Sequence, residues 1–407
     1  MSPLLDSILI ALRAIWANKL RSFMTVLGNI VAVTSIITVV SLIQGLNATV
    51  SDLIVSDIGA DSFTIARRGI IRSEDDEERT RNNPLLTMVE ARAVRNFGDN
   101  IVSVMGTAGR NATVSYGTTE LENIQINGVT SEYGNFSNYN AEQGRMMTPA
   151  EVERSRPVAI IGWDVADRLF GQTNPLDKTI RIAGIQFSVV GVSKRRGASF
   201  GQSMDGFAVI PLGAYMRLFG ARQSLQLLAK PSSPEVLDAA MDDATVALRV
   251  ARRLKPAEPD NFGMLSSDTV LGLYAQATNG IFAVLVGIVA LSLLVGGIVI
   301  MNIMLMVVSE RTREIGLRKA LGAKRRDIMS QVLTESITLS TFGGLVGTLL
   351  GFTLAMILAA VTPLPATLEV WSIILGIGIT AAVGLFFGAY PAARAAALDP
   401  IEALRRE

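Results

Sequence analysis

Residues 280–308 read Gly280-Ile-Phe-Ala-Val-Leu-Val-Gly-Ile-Val-Ala-Leu-Ser-Leu-Leu-Val-Gly-Gly-Ile-Val-Ile-Met-Asn-Ile-Met-Leu-Met-Val-Val308. The chain continues Ser309-Glu-Arg-Thr-Arg-Glu-Ile-Gly-Leu-Arg-Lys-Ala-Leu-Gly-Ala-Lys-Arg-Arg-Asp-Ile328. The first stretch holds no Asp, Glu, Lys or Arg. A helix needs about 20 apolar residues to cross the ~30 Å hydrocarbon core of a bilayer. This run is therefore read as a membrane span, with its extra length taken up by tilt or by projection beyond the bilayer. The second stretch gathers Arg311, Arg313, Arg318, Lys319, Lys324, Arg325 and Arg326. Short loops rich in Lys and Arg stay in the cytoplasm. Together the two segments set the class of the protein and its orientation.

Working outward, three more windows lack charge: from Arg21 to Asp52, from Glu335 to Glu369, and from Glu369 to Arg394. Spans are expected at 22–46, 280–308, 334–361 and 370–391. Four such windows in one chain argue against core helices of a soluble protein, and the mean hydropathy of +0.40 agrees. Arg13, Lys19 and Arg21 resemble the basic region of a signal peptide, but the apolar stretch 22–46 exceeds the usual apolar segment of about 7–15 residues, so a retained anchor is expected. Those three residues, with Arg394, Arg405 and Arg406 of the tail, share the basic face of the 309–328 loop. Val361-Thr-Pro-Leu-Pro-Ala-Thr-Leu-Glu369 has no basic residue and is expected outside. Residues 48–275 then form one outer insertion, since a large domain crosses the membrane regardless of its charge. The expected fold is an α-helical membrane protein with four transmembrane helices, one plus three, and a large α+β extracytoplasmic domain. Both termini, including the tail 392–407, are expected in the cytoplasm.

Residues 1–21 pattern as an amphipathic helix. Leu5, Ile8, Leu12, Ile15 and Trp16 fall on one stripe, with Asp6, Arg13 and Lys19 off it, which suits a helix lying in the membrane interface. In the outer domain, Ser62–Ala66 reads as a strand. Arg72 to Asn83, with the run Glu74-Asp-Asp-Glu-Glu78 and no apolar residue, reads as a solvated loop. Thr87-Met-Val-Glu90 is a capping-box pattern opening a helix to about Asn96. Leu121, Ile124, Ile126 and Val129 suit strand pairing. Val158-Ala-Ile-Ile161 is a buried-strand run stopped by Gly162. Asp164–Phe170 is a short helix closed by Gly171, and Asn174-Pro-Leu-Asp177 a turn. Phe187–Val190 and Phe207–Ile210 are further strands. Ser233-Pro234 opens a helix to about Leu254, whose Arg249, Arg252, Arg253 and Lys255 suit its C-terminal dipole. A strand-rich middle of about 106–204 lies between helix-bearing segments, as in a domain interrupted by an inserted subdomain.

The composition closes off several chemistries. The 407 residues contain neither histidine nor cysteine. Disulfides, thiolate nucleophiles, Ser-His-Asp triads and His- or Cys-ligated metals are excluded, and no metal site is expected. A net charge of +1 gives no general case for nucleic-acid binding. No charged residue sits near the middle of a span, as ion relays of coupled transporters require; Asn29, Gln44 and Asn302 are the polar exceptions. A membrane-tethered enzyme would need an acid/base pair outside, but the adjacent Asp242 and Asp243 point to different helix faces.

Two features carry the positive argument. Gly343, Gly347 and Gly351 recur every fourth residue in the third span, and Gly384 and Gly388 do so in the fourth. Small residues on one face let helices approach closely, within the chain or across a dimer. In the basic loop, Glu310, Glu314 and Arg318 stand four apart and would form a charge ladder on a helix continuing the second span. Gly316 and Gly322 are positioned to break or bend it. Leu317 and Leu321, one turn apart, form an apolar knob among Arg311, Arg313 and Lys319. Such a knob suits docking into a groove on a cytoplasmic partner.

These residues resemble the hallmark segment of the FtsX-like permease superfamily, and nearly the whole chain resembles MacB-type ABC transporter permeases. The resemblance also rests on Asn18–Gly28, Glu142-Gln-Gly-Arg145, Val158–Gly162, Leu169-Phe-Gly171, Phe187-Ser-Val-Val-Gly-Val192 and the tail Tyr390–Arg405. It implies a MacB-like periplasmic domain with a porter-like and an inserted subdomain, in a multi-pass protein of the bacterial inner membrane. It implies a permease dimer, homo- or heteromeric, with a cytoplasmic ABC ATPase docked on 309–328. A periplasmic adaptor and an outer-membrane channel are the further partners it implies. ATP-driven closure would move spans and outer domains together, a mechanism described as mechanotransmission. No Gly-x-x-x-x-Gly-Lys-Ser/Thr phosphate loop occurs in these 407 residues. No cofactor is expected on this chain, and ATP and Mg are expected on a separate ATPase polypeptide. A lipoprotein-releasing permease and an ATPase-linked envelope sensor or regulator of a cell-wall hydrolase share this topology and stand as alternatives.

Overall fold

The computed structural model describes residues 19–59, 61–71, 73–136, 140–362, 365–367 and 370–405. The interfacial helix expected over the N-terminal segment lies, through residue 18, outside the described residues. The chain divides into two units, Val50–Ala275 and Met1–Thr49 with Gln276–Glu407.

The first helix, α1 (Lys19–Ile58), contains the expected span 22–46 and continues past it. In the outer unit, β1 (Phe63–Ala66) is followed by α2 (Glu74–Arg81). This helix replaces the expected loop. Ser73 caps it, accepting from the Asp76 amide, and its first turn is acidic while Arg79 and Arg81 sit in the last. The run lacks apolar residues but satisfies the cap and the dipole, and a surface helix needs little more. The capping box at Thr87 and Glu90 opens α3 (Met88–Arg95).

Next come β2 (Ile101–Tyr116), β3 (Thr119–Val129), β4 (Ala141–Gly144), α4 (Pro149–Glu153), β5 (Val158–Ile161) and α5 (Trp163–Phe170). They are followed by β6 (Thr179–Ile182), β7 (Ile185–Ser193), the hairpin β8 (Ala198–Ser199) and β9 (Gln202–Ser203), and β10 (Phe207–Pro211). The unit ends with α6 (Leu212–Phe219), β11 (Gln226–Pro231), α7 (Leu237–Ala251) and β12 (Gly263–Ser266).

One sheet runs β12-β1-β11-β2-β3-β10-β5-β7-β4, and β6 pairs with both β7 and β2. Strands β2, β3, β10, β5, β7 and β6 thus close a ring, which removes their free edges. The long β2 serves both parts. Its residues 101–107 pair β11, and 107–116 pair β3. The strand-rich middle does not end near 204, because β10 lies between β3 and β5 inside the ring. The physical reason is burial on both faces: Phe207 and Val209 enter one core, and Ala208 and Ile210 the other. A strand buried on both sides needs partners along both edges. The alternating Val158/Ile160 and Ala159/Ile161 of β5 do the same.

The helix expected to run to Leu254 ends at Ala251. Its basic residues are used differently from the dipole expectation. Arg249 pairs with Asp260 and donates to the Lys255 carbonyl at 2.7 Å, and Arg252 holds Asn261 at 2.6 Å, so both tie down the following loop.

The remaining helices are α8 (Ser267–Glu310), α9 (Thr312–Ala320), α10 (Arg325–Val361), α11 (Val370–Ala397) and α12 (Pro400–Arg405). With α1, helices α8, α10 and α11 are long and apolar enough to cross a membrane. At 1.5 Å per residue the 44-residue α8 is about 66 Å long, twice the hydrocarbon core. Helix α11 passes through Pro391 to Ala397, beyond the expected end at 391, so the expected tail is largely helical.

Candidate coupling segment and helix-packing core

The loop 309–328 folds into a short helix bracketed by two different stops. Helix α8 ends at Glu310, and Arg311 leaves helical geometry at φ −94°, ψ 13°. The Thr312 hydroxyl donates to the carbonyls of Val308 (3.1 Å) and Ser309 (2.8 Å), taking up acceptors that the break sets free. The break therefore falls at Arg311 and not at Gly316. Gly316 sits in the middle of α9, where an added Cβ would lie 2.6 Å from the Ala403 Cβ of α12. Its role is close approach. The predicted ladder is cut by the same break: Glu310 stays on α8, while Glu314 and Arg318 pair at 2.7 Å on α9.

Gly322 terminates α9 at φ +100°. The Gly322 amide donates to the Lys319 carbonyl, and the Ala323 amide to that of Arg318, both at 3.1 Å. This is a Schellman stop, which favours glycine. Helix α10 begins at once, with Asp327 accepting from the Lys324 amide at 2.9 Å.

Helix α9 presents two faces. Thr312, Ile315 and Gly316 are buried. Arg318 reaches Gln331 of α10 at 2.6 Å, and Arg311 pairs with Glu335 of α10 at 3.3 Å. Lys319 donates to the carbonyls of Ala396 (2.6 Å) and Leu398 (2.7 Å). Burial holds the Lys319 ammonium below the usual lysine range, Arg325 pushes it the same way, and Asp399 opposes them. The other face carries Arg313, Glu314 and the two leucines, Leu317 at 53% exposed and Leu321 at 81%.

The glycine stripes resolve into contacts within this chain. Gly343 faces Val26 of α1. A Cβ on Gly347 would meet the Ile30 carbonyl oxygen at 2.8 Å, and one on Gly351 the Thr34 carbonyl oxygen at 2.9 Å. Thr34 and Thr38 add hydroxyl bonds to the Gly347 and Gly351 carbonyls, each 3.1 Å. Gly384 and Gly388 of α11 receive Ser340 and Ser336 of α10. Sequence reasoning missed further contacts, among them Gly28 of α1 against Gly296 of α8 and Gly344 against Thr380. It also missed Gln331, Glu335, Ala396, Leu398 and Ala403, the groups that hold α9. Asn29 is wholly buried beside Gly296 and Gly343. Outside, Asp243 accepts from Asn100 at 2.8 Å, a structural bond. Among the described residues no Asp and Glu cluster could hold a metal ion.

Four apolar helices packed through small residues, a short two-faced helix between two of them, and a large α+β domain define a permease-type membrane protein. The sequence model of the MacB-like periplasmic core domain matches residues 22–247, and that of the FtsX-like permease C-terminal domain matches 286–400. The chain belongs to this MacB/FtsX family of ABC-type permeases. It is 34% identical over 398 residues to the macrolide export ATP-binding/permease protein MacB of Chlorobium phaeobacteroides, covering 98% of this chain and 60% of that protein. It is 32% identical over 418 residues to the pyoverdine export ATP-binding/permease protein PvdT of Pseudomonas aeruginosa, covering 99% and 59%. The chain thus spans about three-fifths of the length of these relatives. The solved periplasmic region of MacB from Actinobacillus actinomycetemcomitans aligns at 19% identity and a TM-score of 0.44, over 54% of this chain and 95% of that one.

Proposed function

We propose that this chain is the permease subunit of an ABC-type exporter, coupling ATP hydrolysis on a cytoplasmic ATPase subunit to movement of its outer domain. The observation that carries this reading is α9: one face is fastened to α10, α11 and α12, and the other exposes Leu317 and Leu321 beside Arg313. An anchored helix with an exposed apolar pair is built to receive a partner and pass on a push. ATP and Mg are bound by that ATPase; these 407 residues themselves hold no phosphate loop. The protein works in the bacterial inner membrane, with both termini and α9 cytoplasmic and residues 50–275 outside. Two permease copies operate together, with a periplasmic adaptor and an outer-membrane channel beyond them. Relatives named for macrolide and pyoverdine export support outward movement over lipoprotein release or sensing.

The test is to co-express the chain with candidate ABC ATPase subunits from its own genome and purify the complex in nanodiscs. Leu317→Asp is expected to weaken ATPase binding at least tenfold, about 1.4 kcal/mol, with thermal unfolding of the permease unchanged. An unaltered affinity would remove α9 as the docking helix.

A further inference from the structure

Lys319 stands between Leu317 of α9 and Leu321 just past its end, both exposed, yet its side chain turns the other way. Its ammonium donates to the carbonyls of Ala396, in the last turn of α11, and Leu398, just past its end. The last four carbonyls of a helix have no partner within it, and the negative end of the dipole favours a cation there. In most helices that cation is local in sequence. Here it comes from a helix 77 residues away.

Ile315 of α9 shares an apolar cluster with Ala392 and Ala395 of α11, but the other polar ties of α9 lead elsewhere. Arg311 and Arg318 hold α10, which follows α9 after one tight turn, and Gly316 packs on Ala403 of α12. Chain connection already links α9 to α8 and α10. Nothing in the covalent chain links it directly to α11. Asp399, which faces Lys319 electrostatically, also starts α12, accepting from the Ile401 amide at 2.8 Å. The two carbonyls thus lie where α11 hands over to α12, and Lys319 grips that junction.

We infer that Lys319 is a positioning residue that makes the C-terminal end of α11 move with α9. A displacement of α9 then reaches α11 directly as well as through α10. The source of that displacement rests on the proposed ATPase docking; the grip itself does not.

The native chain has no cysteine, so two can be placed cleanly. Spin labels at Leu321→Cys and Tyr390→Cys, both exposed positions, report the α9-to-α11 distance in the full chain in nanodiscs. The expected result is a narrow distribution that at least doubles in width in Lys319→Met, which keeps the stem and loses the donors. Lys319→Arg, which restores them, returns the width to that of the parent. An unchanged width in Lys319→Met, or no rescue by arginine, overturns the inference. If the methionine variant fails to fold, Lys319→Leu, which also lacks a donor, takes its place with the same two readings. In the ATPase complex, measured at saturating ATPase, Lys319→Met is expected to lose at least fivefold in coupled stimulation of turnover, with arginine recovering half or more. If no ATPase binds even the parent chain, the docking proposal fails while the distance measurement still decides the grip.

Discussion

The outer unit and the helical bundle are made of the same chain and packed by opposite means. The outer core is filled with large side chains: Phe63, Phe187, Tyr133, Tyr215, Leu86 and Ile160 are all essentially buried. The bundle also buries large residues such as Ile37, Ile300 and Met304. Its helices nevertheless close on Gly28, Gly296, Gly343, Gly347, Gly351, Ser336, Ser340 and Thr380, and many other large residues, such as Leu349, Ile374 and Phe386, face outward. The difference is that of the solvent. In water, burying apolar area is the main force, so size is rewarded inside. In lipid, moving a leucine from tails to interior gains little, and association rests on close backbone approach and hydroxyl bonds. The Thr34 and Thr38 bonds to the Gly347 and Gly351 carbonyls are the bundle's equivalent of the outer unit's aromatic residues.

The largest expected effect breaks this comparison from the outer side. Phe187→Ala is expected to cost about 3–5 kcal/mol by leaving a cavity in the ring. Phe386→Ala, at a position 76% exposed in the bundle, is expected to cost less than about 0.5 kcal/mol. Thermal unfolding of the full chain, followed by protease sensitivity of each unit, separates the two. Equal losses would show that the bundle too depends on large side chains.

The reverse substitution tests the bundle. Gly347→Ala places a methyl 2.8 Å from a backbone oxygen and is expected to cost about 1–3 kcal/mol as overpacking. Gly378→Ala has no atom within 4 Å of the new methyl and is expected to be neutral or to stabilise by about 0.5–1 kcal/mol through helix propensity. Heat stability in nanodiscs reads both. If the two variants behave alike, the stripes are not close-packing sites.

Much of this contrast was readable from residues alone, for identifiable reasons. Spans are marked by missing charge, which needs no partner to interpret. The run Val158–Ile161 announced a buried strand and Phe207–Ile210 a strand, though not that the second is buried on both faces. The capping box at Thr87 and Glu90 is local. What escaped the reading depends on distant groups. Ring closure runs through Thr179–Ile182, too short to stand out, and through a β2 whose two halves serve different neighbours. Glycine spacing showed a packing face but not its occupant, which is α1 for one stripe and α10 for the other. Gly316 read as a breaker because its neighbour, Ala403, is 87 residues away. The partners of Lys319 are backbone carbonyls, which every residue carries and no pattern distinguishes.

The smallest expected effect concerns charge, which the outer unit uses and the bundle interior omits. Arg145 grips Glu151 through two bonds of 2.8 Å, and Glu151 also accepts from the Thr148 amide at 2.8 Å to close the box that starts α4. The Arg145 bonds, followed by those from Thr148, hold the Glu151 carboxyl down to about 2 against burial that raises it. A folded value below the unfolded one contributes stability above about pH 4.5, and that contribution is lost as pH falls toward 2. Arg145 is half exposed, so screening limits the effect to about 1 kcal/mol. Hydrogen exchange of the β5 and β7 amides in the full chain is expected to show the stability gap between parent and Glu151→Gln shrinking by up to that amount as pH falls from 5 to 2, with part of it still present at pH 3. The bundle amides, with no charged group at mid-span, should hold constant over the same range. A gap unchanged from pH 5 down to pH 2 would mean the box is held by Thr148 alone.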